Sequence, residues 1–278
     1  MTDISIVDSF LLGIVEGLTE FLPVSSTGHL TIAEKALGMS IDDKGVTAFT
    51  AIIQVGAIAA VLVYFARDIA RIVSAWVHGL YQAEVRGSFD YRFAWFVIWG
   101  SLPIGIIGFL LRDVISGSLR SLWVVAIALI VWSGVMVLAE RVATQARKER
   151  STTLNDALVI GLVQCVALIP GISRSGATIS AGLFRGLDRV AATRLSFFLS
   201  IPALVGAGLY ELKDAIKESV PVGALAVGTI VSFVVAYATI AWLLRFVAGH
   251  RITLFVPYRV ALGLILIGLL ATGTINPT

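Results

Sequence analysis

Glu16-Gly17-Leu18-Thr19-Glu20-Phe21-Leu22-Pro23-Val24-Ser25-Ser26-Thr27-Gly28-His29 is the stretch on which the reading of this chain turns. Two carboxylates, a proline, a run of hydroxyls, a glycine and a histidine lie together between apolar flanks. In water this would be a surface helix running into a loop. The surroundings decide otherwise: of 278 residues, 58% are hydrophobic and 14% charged, with a mean hydropathy of +0.93. A soluble domain carries about a quarter charged residues. The solvent here is therefore lipid, and the chain reads as one all-α polytopic membrane domain over residues 1–278.

Outward from this stretch, the apolar run at 4–18 is too short to cross a hydrocarbon core of roughly 30 Å at about 1.5 Å per residue. Pro23 breaks it, and a second short run covers 29–38. Two short helices meeting at a polar bend suggest a re-entrant hairpin, which lipid tolerates only where protein or a water-filled cavity surrounds it. One kinked span is the alternative. Three full spans follow at about 46–66, 93–111 and 121–139, and the basic link 140–153 marks the middle of the chain. The pattern then restarts: short pieces at 155–169 and 175–184 flank Pro170-Gly171, and spans follow at about 190–210, 221–244 and 257–275.

An offset of 148 aligns the halves: Gly13 falls on Gly161, Val15 on Val163, Glu16 on Gln164, Ser25 on Ser173, Ser26 on Arg174, Thr27 on Ser175, Gly28 on Gly176 and Ala33 on Ala181. The expected architecture is two repeats, about 4–139 and 154–275, each a re-entrant short-helix pair plus three transmembrane helices, giving six spans and about ten helices. An odd number of spans per repeat inserts the halves with opposite topology, which places a site near the midplane between the broken segments.

Charge fits this topology. With the first hairpin entering from outside, 13 of the 21 Lys and Arg residues fall in cytoplasmic segments, while Lys35, Lys44, Arg112, Arg120, Lys213 and Lys217 fall outside. That satisfies the positive-inside rule and turns both termini outward. The remaining two, Arg174 and Arg259, lie at membrane depth. Met1-Thr2-Asp3-Ile4 has no basic leader region and no cleavage site follows, so the apolar start is expected to persist. The single Cys165 precludes an internal disulfide and reads as a packing residue. A formal charge of only +3 gives no footprint for nucleic acid.

Glu16 and Glu20 are four apart, on one face of a helix. Their repulsion at low dielectric calls for a proton or a cation, and a hard divalent ion shared with phosphate oxygens suits them. Ser25, Ser26 and Thr27 open the second short helix. Capping needs one hydroxyl, so the others, with close approach at Gly28 and the free amides of a helix start, describe an anion site. His29 is within reach as acid, base or nucleophile. In the second half, Pro170-Gly171-Ile172-Ser173-Arg174-Ser175-Gly176-Ala177-Thr178 supplies a guanidinium whose fork matches phosphate, or a carboxylate of the first half. Ser173, Ser175 and Thr178 can add hydrogen bonds. Gln54 and Arg259, inside spans, are weaker candidates that can simply satisfy nearby backbone.

Both motifs, their separation and the hydrophobic profile resemble the undecaprenyl pyrophosphate phosphatase family, the bacitracin-resistance type. The resemblance implies a multi-pass enzyme of the bacterial inner membrane with its site facing the periplasm. It would hydrolyse undecaprenyl diphosphate to the monophosphate carrier recycled for peptidoglycan synthesis. By motif position, Glu16 and Glu20 would organise Mg²⁺ or Ca²⁺, Ser26 and His29 would share nucleophile and proton-transfer roles, and Arg174 would hold the diphosphate. One position departs from the family pattern. Arg194 stands where an acidic residue is common, before Ser196-Phe197-Phe198, and is given no catalytic task. Expected partners are the polyprenyl diphosphate and membrane lipids, with room for a homodimer. The rival reading is a polyprenyl-phosphate flippase or transporter, because inverted repeats with broken helices also build transport sites.

Overall fold

The computed structural model of the chain describes residues 4–40, 43–116, 119, 121–215 and 221–277. Its first half runs α1 (Ile6–Thr19), α2 (Ser26–Ala36), α3 (Lys44–Tyr64), α4 (Ala66–Tyr81), α5 (Phe89–Leu110), α6 (Arg112–Ser116) and α7 (Leu122–Val142). The second runs α8 (Leu154–Gln164), α9 (Arg174–Phe184), α10 (Arg189–Ala215), α11 (Val222–Gly249) and α12 (Val256–Ala271). Among the described residues, six helices are long and apolar enough to span a membrane, three before the basic link and three after it. Of the cations expected on the outer side, Arg120 and Lys217 lie outside the described residues.

Two helices exceed the expected ten. Beyond the very short α6, the link after the first span holds α4, because Ile69, Ile72, Val73, Trp76, Val77 and Leu80 recur at helical spacing between arginines. Ile69, Ile72 and Trp76 pack on the main core, while Val73, Val77 and Leu80 are exposed. An apolar run too interrupted to span is still enough to make an amphipathic helix.

Residues 20–25 are not helical, and α2 folds back on α1 as a hairpin. Ile4 and Asp8, at the start of α1, line one cleft with Leu37 and Met39, at the end of α2. That removes the kinked-span alternative. The second hairpin closes the same way: Arg185, just past α9, reaches Asp156 in the first turn of α8 at 2.8 Å. At the opposite ends the two tips touch, the Gly171 N–H donating to Ser25 Oγ at 3.1 Å. Hairpins meeting tip to tip, each followed by three spans, are consistent with opposite insertion of the two halves.

The repeat extends to details. Ser5 and Asp8 form a capping box on α1, and Thr153 and Asp156, offset again by 148, form one on α8. The halves also exchange partners, α1 packing on α11 of the second and α8 on α5 of the first. Gly13 lies against the carbonyl of Gly228, and Gly161 against that of Gly100, so a Cβ at either glycine would strike backbone. Small residues at the crossing let helices approach where lipid gives no hydrophobic push.

Candidate active site

The sequence at each tip forces a turn that ends in an N-cap. Ser25 has φ 80° and Ser173 φ 77°, a region that costs about 1–3 kcal/mol for a non-glycine residue unless the surroundings hold it. Each serine caps its own helix, Ser25 Oγ accepting from the Gly28 N–H at 3.4 Å and Ser173 Oγ from the Gly176 N–H at 3.2 Å. Across the tips, Ser175 Oγ donates to the Leu22 carbonyl at 2.9 Å. Arg259, fully buried on α12, fastens both. It donates to the carbonyls of Pro23 (2.9 Å), Gly171 (3.0 Å) and Ile172 (3.1 Å), and to Ser133 Oγ (3.1 Å). A guanidinium carries five donors in a planar fork, so one side chain can hold several strands of backbone.

Glu20, buried between the tips, joins the chemistry of the two halves. Its Oε2 accepts from Ser26 Oγ at 2.6 Å and its Oε1 from Arg174 Nη2 at 2.9 Å. The ion pair therefore forms with Glu20, one of the two acids expected for it. Nη1 of Arg174 is buried and has no protein acceptor among the described residues.

Glu20, Ser25, Ser26, Thr27, Gln54, Ser173 and Arg174 line one cavity of about 170 Å³, which Ile104, Leu168 and Leu204 also border. That is room enough for a phosphoryl group with water. The remaining sequence candidates lie behind this lining. Glu16 is buried one turn before Glu20 on α1. Gly28 lets the tip close on Val125, whose Cγ1 would be 2.9 Å from an added Cβ. Thr178 Oγ1 bonds Ser196 Oγ. His29 turns to the other side, with Nδ1 2.7 Å from the Ser25 carbonyl oxygen and Nε2 2.6 Å from Tyr258 Oη. Sequence reasoning missed Tyr258; its adjacency to the mid-membrane Arg259 was the available signal. Arg194 pairs with Asp68 (3.1 Å) and Glu149 (2.9 Å), tying α10 to α4 and the central link, far from the chemistry.

A family model, that of the bacitracin resistance protein BacA, matches residues 9–265. The chain belongs to the BacA family. Within it, an undecaprenyl-diphosphatase of Streptomyces coelicolor is 59% identical over 99% of this chain and its own full length. An undecaprenyl-diphosphatase of Acidothermus cellulolyticus is 56% identical over 97% of this chain and 98% of its own. One from Corynebacterium diphtheriae is 48% identical over 99% of this chain and 98% of its own. Both motifs at the tips fall inside the BacA match.

Proposed function

We infer that this chain is an integral-membrane diphosphatase that hydrolyses undecaprenyl diphosphate to undecaprenyl phosphate and inorganic phosphate. The observation that carries the reading, beside family membership, is the Ser26–Glu20–Arg174 constellation assembled from opposite hairpins around a phosphate-sized cavity. A hydroxyl at hydrogen-bond distance from a carboxylate that a third group orients is the arrangement of an activated nucleophile.

In this reading, Ser26 Oγ attacks the terminal phosphorus as Glu20 accepts its proton. The bond from phosphorus to the bridging oxygen breaks, and undecaprenyl phosphate leaves with the electron pair. Glu20 passes that proton to the departing lipid phosphate, then deprotonates the water that attacks the phosphoserine, and returns the proton to Ser26 Oγ as inorganic phosphate leaves. Arg174 grips the transferring group through Nη1 while Nη2 keeps Glu20 in place, and it neutralises charge as the phosphoryl group passes across. Water attacking the lipid diphosphate directly would use the same base and the same arginine.

The donor set bears on the cation. Among the described residues there is no cluster of three or more His, Cys, Asp or Glu side chains able to form a metal cage. Glu16 and Glu20 supply two carboxylates, which fits an ion completed by substrate phosphates and water, the habit of Mg²⁺ more than of Ca²⁺. When bound, such an ion supplies positive charge to the diphosphate. The bias of basic residues supports a bacterial plasma membrane location with the cavity served from the outer side, where freed carrier would support bacitracin resistance.

The test is direct. Purified protein in detergent, given a polyprenyl diphosphate and Mg²⁺, is expected to release inorganic phosphate. No release with any divalent cation would overturn the enzyme reading and favour a lipid transporter, which the tip-to-tip hairpins could also build.

A further inference from the structure

We infer that Tyr258 is a positioning residue that acts through His29 on the Ser25–Ser26 peptide; the inference rests on the diphosphatase reading. A carbonyl oxygen only accepts, so the contact with Ser25 places the proton of the neutral imidazole on Nδ1, and Nε2 then accepts from the Tyr258 phenol. The rings also stack, with centroids 5.5 Å apart and planes 20° from parallel. Both nitrogens are thus committed to the protein, and the imidazole is a strut between α12 and the first tip.

The strut holds a peptide under strain. Ser25 sits at φ 80°, and its carbonyl takes both the His29 side chain and, at 3.2 Å, the His29 N–H. A trans peptide is planar, so the direction of the Ser25 carbonyl fixes that of the Ser26 N–H, which points the opposite way. With the carbonyl turned into α2, this amide faces out of the helix start. It has no intrahelical acceptor there, and Ser25 and Ser26 border the cavity. Aimed in this way, it is a donor for an oxygen of the transferring phosphoryl group. The second tip is an internal control. Ser173 has the same backbone, yet Ala177 stands where His29 would by the repeat, and no strut exists. Only the hairpin whose hydroxyl pairs with Glu20 carries one.

The experiment uses the full chain in detergent with a polyprenyl diphosphate and Mg²⁺. Tyr258→Phe keeps the ring and removes the donor. It should lower kcat about tenfold with KM near the wild-type value. Nitrogen NMR of labelled histidine should show His29 as the Nδ1–H tautomer in both proteins, with the Nε2 resonance moved downfield in the variant, where that nitrogen loses its donor. His29→Asn, whose amide can still donate to the Ser25 carbonyl, should retain more turnover than His29→Ala. An unchanged kcat in Tyr258→Phe, a loss confined to KM, an unmoved Nε2 resonance, or equal loss in the two His29 variants would each overturn the proposal. A wild-type protein that releases no phosphate speaks against the diphosphatase reading instead, and the Nε2 resonance still decides whether the strut exists.

Discussion

The two hairpins share a backbone and divide the chemistry. α2 and α9 are each 11 residues long, capped by a serine near the same positive φ. On that common frame the first hairpin presents Glu16, Glu20 and Ser26, and the second places Gln164, Leu168 and Arg174 at the matching positions. Acid and hydroxyl come from one repeat, the guanidinium from the other, and Glu20 accepts from both. Surroundings differ too. α9 is buried along most of its length, while Thr27 on α2 is exposed and Ser26 half-buried. A duplicated scaffold thus gives reproducible backbone geometry at low cost to the fold, and the two copies are free to specialise. Neither copy contains a site.

The largest effect should come from separating the halves. Glu20→Ala and Arg174→Ala are each expected to lower kcat/KM by about 10²–10³ in protein that still folds, with a lowered melting temperature because a buried charge loses its partner. Arg174→Lys should not restore activity, because one ammonium cannot serve Glu20 and phosphate as a planar fork does. Near-normal phosphate release in either alanine variant breaks the comparison at its centre. Ser26→Ala should cost about 10² in kcat if the hydroxyl attacks, whereas Ser173→Ala, which removes a cap together with contacts to Leu22 and Ser175, should cost about 1 kcal/mol of stability and less turnover. A Ser26→Ala enzyme that keeps substantial turnover makes water the attacker.

The membrane-distal ends sharpen the contrast. Asp8 and Asp156 occupy equivalent capping boxes, but Asp156 is fully buried and also receives Arg147 and Arg185. Burial alone would raise its pKa, yet the hydrogen bonds from Arg147, Arg185 and Thr153 outweigh burial and hold the carboxyl well below the usual range. A depressed folded-state pKa means stability that is present above the unfolded value, about 3.9, and is lost as pH falls through the folded one. Wild type should therefore lose melting temperature below about pH 4 more steeply than Asp156→Asn. At neutral pH, Asp156→Asn should cost about 3 kcal/mol by leaving two arginines short of a partner. Asp8→Asn should cost less than about 1 kcal/mol, the loss of one capping contact.

Much of this was legible in the sequence because lipid makes polar residues informative. Six spans and two broken segments follow from hydropathy and from Pro23 and Pro170, and the offset of 148 from pairs such as Gly13 and Gly161, Ser25 and Ser173, and Gly28 and Gly176. Glu20, Ser26 and Arg174 stood out because charge at membrane depth is costly without a partner. What stayed hidden was side-chain direction. His29 lies within helical reach of the hydroxyls, and only the packing of α12 shows that it turns to Tyr258. Ser175 and Thr178 carry the right groups for a phosphate site but spend them on Leu22 and Ser196. α4 escaped because Arg67 and Arg71 interrupt its apolar residues, and the stretch between the first two spans read only as a link.

Arg259 has a consequence for how the protein is made. It belongs to a helix synthesised after both hairpins, yet its partners are carbonyls at residues 23, 171 and 172 and a hydroxyl at 133. A lone arginine in a nascent apolar segment costs about 2.5–3.5 kcal/mol to insert. That cost is offset only once both earlier hairpins have turned inward and met. α12 therefore docks stably into a correctly assembled pair of tips and poorly into any other arrangement. α12 acts as the chain's own inspection of the two hairpins synthesised before it.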